Sequence, residues 1–278
     1  MKVAVTGASG YIGKHVVDAL IELGHDVIAV DIINNNINSK AKFKKIDIFG
    51  NDVYEKMEEP DACIHLAWKD GFSHNSDAHM GMLSDHYNFI KSMLNSKIKY
   101  FSVMGSMHEV GYFEGAIDEN TPTNPLSMYG IAKNSLREAA LLLAKDTETA
   151  FMWLRAFYIL GDDIHNNSIF SKITKLEEEG EKKFPFVSGK NKYDFINVDV
   201  LAKQIAIAST QNKVTGIINC CSGKPVSIGD KVVEYIREHN YAIEPDFGKF
   251  PEREYDSPAI WGNNEKIKKI IENYHKGL

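Results

Sequence analysis

A tyrosine and a lysine stand four residues apart in the segment SMYGIAK, at Tyr129 and Lys133. On a helix, residues at this spacing lie on one face, one turn apart. An ammonium close to a phenol favours the phenolate and lowers the tyrosine pKa, so the hydroxyl can act as an acid or a base near neutral pH. The pair therefore predicts proton transfer at a carbonyl or alcohol oxygen as a hydride arrives or leaves. A solvated surface pair is the alternative interpretation.

Three glycines follow the first apolar run in VTGASGYIG, at Gly7, Gly10 and Gly13. Their spacing differs by one residue from the dinucleotide-binding pattern GxGxxG. Glycines allow a tight turn and a close approach to a pyrophosphate, and the N-terminus of the following helix attracts negative charge. We interpret the segment as a dinucleotide-binding turn. The alternative is a tight strand-to-helix turn with no ligand.

An aspartate ends the second apolar run, in DVIAVD. Asp31 lies near the offset of about 20 residues at which an acid binds the adenosine ribose hydroxyls. A carboxylate repels a 2′-phosphate, and Ile32, Ile33 and Asn34 follow it rather than an arginine. The sequence therefore predicts NAD, with NADP as the second possibility. A loop-capping aspartate is the alternative.

Apolar runs alternate with amphipathic segments in the first half of the chain, as βαβ units around a parallel sheet require. Strands are predicted at KVAVTG, DVIAVD, ACIHLA and YFSVMGS, and helices at 11–23, 77–95 and 127–143. The predicted fold class is α/β, a Rossmann-type doubly wound parallel sheet with a small C-terminal α/β substrate lobe. We place the boundary between the nucleotide-binding and the substrate-binding parts of the chain near Gly161. Residues 1–161 then form the nucleotide-binding domain, and residues 162–278 mainly bind substrate, with returns to the main sheet.

The composition matches that of globular proteins, with 44% hydrophobic and 25% charged residues. The formal net charge is −6, and the basic residues form no stripe, which argues against a nucleic-acid partner. The three cysteines form no CxxC unit and no metal-ligand spacing. Glycines interrupt the N-terminal apolar run before a signal-peptide core or a membrane span could form. We expect a cytoplasmic protein with no membrane partner and no metal.

These segments together resemble the extended short-chain dehydrogenase/reductases, a family of nucleotide-sugar epimerases, dehydratases and reductases. TGASGYIG is similar to the family's cofactor loop, Asp47 and Ile48 to its adenine-side contact, and HLAW to its fourth-strand motif. SVMGSMHEVG resembles its catalytic-serine segment, and YGIAK resembles its tyrosine-lysine motif. The resemblance runs through most of the chain.

The resemblance implies a catalytic triad. Tyr129 would be the acid/base, Lys133 would lower its pKa and bind the nicotinamide ribose, and Ser106 would bond to the reacting oxygen. A capping hydroxyl at a strand end is the alternative role of Ser106. The cofactor-binding residues that the resemblance implies are Gly7, Ser9, Gly10, Tyr11, Ile12, Gly13, Asp31, Ile32, Asp47, Ile48, Leu66, Ala67, Trp68, Met104, Tyr129 and Lys133.

Some positions depart from the family's pattern. Dehydratases carry an Asp-Glu pair directly after the residue equivalent to Ser106, where Met107 and His108 stand here, so dehydration is disfavoured. His108 or Glu109 could contact the substrate, although a histidine in such a loop is often only solvated. Three further histidines lack acids or cysteines at ligand spacing and predict no metal site. They are His74, His79 and His86.

The substrate-binding positions differ as well. Tyr158 replaces the family's substrate-binding asparagine, and Tyr193 stands where a phosphate-binding arginine is usual. Arg253 resembles the arginine that clamps the nucleotide diphosphate, for which a bidentate guanidinium is suited, although a surface arginine is the alternative. The predicted substrate-binding residues are Met107, His108, Tyr158, Asn167, Tyr193 and Arg253.

The implied function is an NAD(P)-dependent oxidoreductase acting at C4 of a nucleotide-activated deoxysugar, such as a dTDP-4-keto-6-deoxyhexose. The segment 105–134 is similar to the deoxyhexose 4-ketoreductase branch. A nucleotide-sugar 4-epimerase uses the same triad and is the first alternative. A cofactor-binding regulator that has lost catalysis is the second, and the intact triad argues against it. The family also implies a homodimer through a four-helix interface that includes helix 127–143.

Overall fold

The computed structural model describes residues 1–161, 168–252 and 256–277. The helices in these ranges are α1 (Tyr11–Glu22), α2 (Val53–Lys56), α3 (Ala78–Gly81), α4 (Leu83–Leu94), α5 (Met128–Ala144), α6 (Ile169–Glu178), α7 (Val198–Ala208), α8 (Ile228–Glu238) and α9 (Glu265–His275). The strands are β1 (Lys2–Thr6), β2 (Asp26–Asp31), β3 (Lys42–Lys45), β4 (Ala62–His65), β5 (Tyr100–Ser106), β6 (Gly115–Ile117), β7 (Ala150–Ala156), β8 (Tyr158–Leu160), β9 (Lys183–Phe186), β10 (Lys192–Asn197), β11 (Gly216–Cys220), β12 (Pro225–Ser227), β13 (Glu244–Phe247) and β14 (Ala259–Gly262).

A parallel sheet of seven strands forms the centre of the described chain, in the order β11-β7-β5-β4-β1-β2-β3. Its inner strands are mostly apolar because helices cover both faces. Val3 and Val5 of β1 point into one hydrophobic cluster and Ala4 into the other. The strand order reverses between β1 and β4, and in such sheets the ligand crevice lies at the carboxyl ends next to that point. The Rossmann-type prediction is confirmed.

Helices α1, α7 and α9 cover one face of the main sheet, and α4 and α5 cover the other. Strand β11 and helix α7 come from the second half of the chain yet belong to this layered unit. The returns to the main sheet are therefore present. The division of roles at residue 161 stays a prediction.

A smaller unit is built mainly from the second half of the chain. Strands β12, β10, β14 and β6 form its sheet in that order, and β8 pairs with β10. Its core is rich in aromatic side chains, including Phe157, Phe170, Phe184 and Phe195. Strand β7 of the main sheet is followed after one residue by β8, so the two units are joined at the carboxyl edge of the main sheet.

The predicted helices at 11–23 and 127–143 are confirmed as α1 and α5. The structure differs at 77–95, where two helices replace one. Met82 lies between them with φ −100° and ψ 3°, outside the helical range, and it follows Gly81, whose residue type is a poor helix former. In the described ranges, no helix has the length and apolar character needed to cross a membrane.

Candidate active site

The turn between β1 and α1 leaves no room for a side chain at Gly7 or at Gly13. At Gly7, where φ is +71°, a Cβ atom would lie 2.6 Å from the backbone nitrogen of Ala67. At Gly13 it would lie 2.1 Å from the carbonyl oxygen of Gly7, which also accepts a hydrogen bond from the Gly10 amide at 3.0 Å. Both contacts are to backbone atoms, which cannot move aside. Strand β1, the start of α1 and the segment after β4 can therefore approach only because these positions are glycine.

The N-terminus of α1 is suited to an anion. Its N-cap, Gly10, has no side-chain cap, and the first turn, which begins at Tyr11 and Ile12, carries no acidic residue. The amides of such a turn have no partner within the helix and point toward any ligand above them. These features fit a dinucleotide pyrophosphate.

Asp31 lies beside this turn. Its carboxylate accepts hydrogen bonds from the amide of Ser9 at 2.9 Å and from its neighbour Ile32 at 2.7 Å. The Ser9 hydroxyl donates to the carbonyl of Ile33 at 2.6 Å. The acid and the glycine turn thus form one rigid unit at the carboxyl ends of β1 and β2, which is where an adenosine ribose would be bound.

The other predicted cofactor residues lie along the same edge of the sheet. Asp47 and Ile48 follow β3, which is tied to β2 by a bond from the Ile46 amide to the Asp31 carbonyl at 3.2 Å. Leu66, Ala67 and Trp68 follow β4 directly. The roles of these residues stay predictions.

Ser106 and Tyr129 are brought together from β5 and from the first turn of α5. Burial raises the pKa of Tyr129 to about 12, the nearby charge of Glu109 acts in the same direction, and hydrogen bonding with Ser106 acts in the opposite direction. The phenol is therefore held in its protonated form beside a second hydroxyl.

Lys133 is buried one turn along the same helix. Its ammonium donates to the carbonyl of Met104 at 2.8 Å and lies 3.7 Å from the centre of the Trp68 ring. Burial lowers the pKa of Lys133 to about 7, and the charge of Glu109 partly offsets this.

The structure differs here from the expectation drawn from the four-residue spacing. The ammonium is 5.9 Å from the centre of the Tyr129 ring and is directed to Met104, so it is not what sets the pKa of the phenol in this arrangement. Removal of water penalises the charged form of each group, which raises the pKa of the tyrosine and lowers the pKa of the lysine.

The loop after β4 fixes the start of α5. The amide of Tyr129 donates to the carbonyl of His74 at 2.9 Å, and the amide of Met128 to the side chain of Asn75 at 3.3 Å. The N-cap hydroxyl of Ser127 accepts from the amide of Gly130 at 3.1 Å. Three of the amides that a helix start leaves without helical partners are thus bound, and the position of Tyr129 follows from this loop.

A family model described as the NAD dependent epimerase/dehydratase family matches residues 3–221. The chain belongs to this family. The resemblance stated from the sequence motifs is confirmed, and NAD is the cofactor that the family implies.

Two relatives are similar over most of the chain. A dTDP-6-deoxy-L-talose 4-dehydrogenase (NAD(+)) of Aggregatibacter actinomycetemcomitans is 45% identical over 94% of this chain and 99% of its own length. A putative UDP-glucose 4-epimerase of Methanocaldococcus jannaschii is 30% identical over 82% of this chain and 79% of its own. Among solved structures, a UDP-glucuronic acid 4-epimerase from Bacillus cereus, in complex with UDP-glucuronic acid and NAD, has a TM-score of 0.81 at 21% identity, covering 98% of this chain and 93% of the other. That likeness shows the shared fold.

Three of the predicted substrate contacts form a group of rings next to Tyr129, and a fourth lies in the core of the smaller unit. The ring of His108 lies 6.0 Å from that of Tyr129 and 6.4 Å from that of Tyr158, which in turn lies 4.4 Å from Tyr193. Met107 packs in the core of the smaller unit. These four remain candidates for substrate contact. Asn167 and Arg253 lie outside the described residues.

Sequence reasoning missed the part that histidines play around Tyr129. The rings of His74, His79 and His108 lie 5.4, 5.3 and 6.0 Å from the tyrosine ring. His79 accepts a bond from the Trp68 indole at 3.1 Å, so its other ring nitrogen carries the proton and donates to the carbonyl of Ser73 at 2.9 Å. His79 therefore connects the ring beneath Lys133 to the loop that caps α5. Only the density of histidines after HLAW signals this arrangement.

The described residues contain no group of three or more histidine, cysteine, aspartate or glutamate side chains arranged to hold a metal ion. Two of the histidines instead form a buried chain. Thr6 bonds to His65 at 2.8 Å, and His65 bonds to His86 at 3.0 Å. Burial lowers the pKa of His86 to about 3 and, together with the charges of His86 and Lys133, lowers that of His65 well below its usual value. Both imidazoles are neutral in the folded protein.

Acid is expected to destabilise the protein through these histidines. Below the unfolded pKa of about 6.5, the unfolded chain binds protons that folded His86 does not bind until about pH 3. The free energy of unfolding therefore falls as the pH drops through this window, by up to about 1.4 kcal/mol per pH unit for this group. His86→Asn keeps a polar atom near the bond to His65 and removes the titration, so urea unfolding between about pH 5 and pH 7 should show a shallower pH dependence.

The matched control is His275→Asn, since His275 is exposed in the last turn of α9. It should retain the wild-type slope. Equal slopes for wild type and His86→Asn would show that the pKa of His86 is the same in the folded and the unfolded protein.

Proposed function

We propose that this protein is an NAD-dependent oxidoreductase that acts at C4 of a nucleotide-activated 6-deoxysugar. The observation that carries the proposal is the meeting of the Ser106 and Tyr129 hydroxyls, with buried Lys133, at the carboxyl edge of the sheet beside the glycine turn. Such a group can move a proton at a substrate oxygen while NAD supplies or accepts a hydride at the adjoining carbon.

Each residue has a distinct part in the proposal. Tyr129 gives its proton to the carbonyl oxygen in reduction, and its high pKa keeps that proton in place at neutral pH. Ser106 orients the same oxygen by hydrogen bonding. Lys133, with a pKa near 7, binds the nicotinamide ribose and can hold or release a proton in the working pH range.

The relative that is 45% identical supports a dTDP-activated 6-deoxyhexose as the substrate, because the alignment covers nearly all of both chains. The aromatic group of His108, Tyr158 and Tyr193 is consistent with a sugar carrying an apolar methyl in place of a hydroxyl. A nucleotide-sugar 4-epimerase is the second candidate, supported by the relative that is 30% identical and by the fold shared with 4-epimerases.

A homodimer belongs to the same proposal. Helix α5 exposes Met128, Ile131 and Leu142, at 43%, 37% and 65% of their surface, and Leu126 precedes them at 51%. Burial of this apolar face against a second copy would remove it from water. Light scattering of the purified protein tests this association.

The deciding experiment follows NADH absorbance as the protein is mixed with dTDP-4-keto-6-deoxyglucose and, separately, with its 3,5-epimerised L-sugar. We expect stoichiometric loss of NADH with one of them, and much slower loss with NADPH because Asp31 repels the 2′-phosphate. Constant absorbance with both sugars, together with interconversion of a UDP- or dTDP-hexose at C4, would establish the epimerase instead.

A further inference from the structure

Glu109 is a fully buried carboxylate directly behind the end of β5. One of its oxygens accepts hydrogen bonds from the amide of Ser106 at 2.7 Å and from the indole of Trp153 at 2.9 Å. The Ser106 hydroxyl in turn accepts from the amide of His108 at 3.3 Å, which completes a capping box. The path of the chain at Ser106 therefore depends on this carboxylate. A residue with no exposed surface cannot be the substrate contact considered for Glu109 from the sequence.

Two buried arginines from different elements face the other oxygen of Glu109. Arg155 of β7 approaches it to 3.5 Å and Arg137 of α5 to 3.7 Å, with 0% and 5% of their side chains exposed. Among the described residues, this oxygen and the Nε atoms of both arginines have no hydrogen-bond partner. Attraction between opposite charges therefore holds the group together, and removal of Glu109 would leave two buried guanidinium groups without their shared counter-charge.

Arg137 lies on the same face of α5 as Tyr129 and Lys133. It follows Lys133 by four residues and Tyr129 by eight, so all three lie on one face of the helix. Gly105 makes room for the junction, because a Cβ atom there would lie 2.1 Å from the Trp153 indole nitrogen and 2.6 Å from the Glu109 carboxylate. The carboxylate thus connects the strand that ends in Ser106 to the helix that carries Tyr129.

We propose that Glu109 is a positioning residue of this site, whose buried carboxylate, held between Arg137 and Arg155, aligns Ser106 with Tyr129 and supplies the negative charge that faces the Tyr129–Lys133 pair. This inference rests on the proposed function for the chemistry that the pair performs. The carboxylate acts through its neighbours and does not contact the reacting atoms.

The groups around the pair come from several elements. His74 and His79 face it from the loop and helix after β4, and His108 faces it from the turn after β5. His65 of β4 and His86 of α4 are also within electrostatic reach of Lys133, whose charge lowers the pKa of both. Beneath the pair lie Glu109, Arg137 and Arg155, the last of which also donates to the carbonyl of Asp118 at 3.0 Å. Burial has the largest effect on both groups, since it raises the pKa of Tyr129 and lowers the pKa of Lys133. The charge of Glu109 has a smaller effect and raises both pKa values.

A lysine titration tests the proposal without any substrate. Protein labelled with ¹³C at the lysine ε-carbons is titrated by NMR, and the Lys133 signal is assigned as the one absent from Lys133→Arg. In wild type it should titrate near pH 7. Glu109→Gln should move its midpoint to lower pH by about half a unit or more, because the ammonium loses a nearby negative charge. Arg137→Met should move the midpoint to higher pH, because the carboxylate is less neutralised.

The control is Glu138→Gln, which removes an exposed acid that pairs with Arg137 from the solvent side. The Lys133 midpoint in this variant should match wild type, because solvent screens the charge of Glu138. If Glu109→Gln does not fold, the shift in Arg137→Met decides the matter. Unchanged midpoints in every folded variant of Glu109 and Arg137 would overturn the proposal.

Turnover supplies an independent readout once a substrate is established. Glu109→Gln should lower kcat by about 10²-fold, with a smaller change in KM. Its NH2 group would face the two arginines, so the side chain must turn away from the Ser106 amide, and Ser106 then no longer lies correctly against the reacting oxygen. The Lys133 midpoint could fall in Glu109→Gln and rise in Arg137→Met although the protein turns over no deoxysugar. That result would contradict the proposed function and support the role of Glu109. An unchanged kcat in folded Glu109→Gln would remove its positioning role.

Discussion

Replacement of Tyr129 by phenylalanine is expected to lower kcat by about 10²- to 10⁴-fold, the range contributed by a positioned acid or base. The loss follows from the missing proton, since the ring itself would remain packed among His74, His79 and His108. The fold and NAD binding should be nearly unchanged. Initial rates of NADH oxidation with the substrate identified above, and calorimetric titration with NAD, measure the two effects.

The matched control for this substitution is Tyr112→Phe. Tyr112 is exposed, and its hydroxyl donates only to Glu114, two residues away. Its kcat should equal that of wild type. A Tyr129→Phe protein that keeps most of its activity would remove Tyr129 from the acid/base role.

A single methyl group at Gly13 is expected to weaken NAD binding at least tenfold. The added Cβ atom would lie 2.1 Å from the carbonyl oxygen of Gly7 and 2.9 Å from the Cα of Ala8, and both belong to the backbone of the turn. The start of α1 must move away from the turn, so its amides no longer point at one pyrophosphate position. Overpacking of this kind also costs about 1–3 kcal/mol of folding free energy. Calorimetry with NAD and urea unfolding give the two quantities.

Gly81→Ala provides the comparison, because a Cβ atom at Gly81 meets no atom within 4 Å and the residue is helical. Its NAD affinity should match wild type, and its stability should be unchanged or higher by up to about 1 kcal/mol, because alanine is the better helix former. An unaltered affinity in Gly13→Ala would show that the turn does not hold the pyrophosphate.

Several features of the site could be predicted from short stretches of sequence. The glycine spacing in VTGASGYIG, the acid that ends β2, and the tyrosine and lysine one helical turn apart each depend on neighbours within one or two turns of chain. The continuous helix predicted at 77–95 was wrong because Met82 leaves the helical range, which the apolar periodicity around it does not reveal.

The pKa values of Tyr129 and Lys133 could not be predicted from the sequence in the same way. Spacing places Lys133 on the same helix face as Tyr129, but the side chain is directed to the Met104 carbonyl and the Trp68 ring, from β5 and from the segment after β4. Burial by these elements then controls the pKa of both groups. The four-residue spacing contains no information about that burial.

The sequence alone determined the α/β class, the glycine turn with its acid, and the serine, tyrosine and lysine that belong to one family pattern, because local spacing and alternation carry these signals. The tertiary structure decided which groups surround them. Glu109, Arg137 and Arg155 come from a turn, a helix and a strand, and they meet only because β5 and β7 are neighbours in the sheet and α5 crosses between them. Sheet order depends on packing over the whole chain, so contacts of this range cannot be obtained from any single segment.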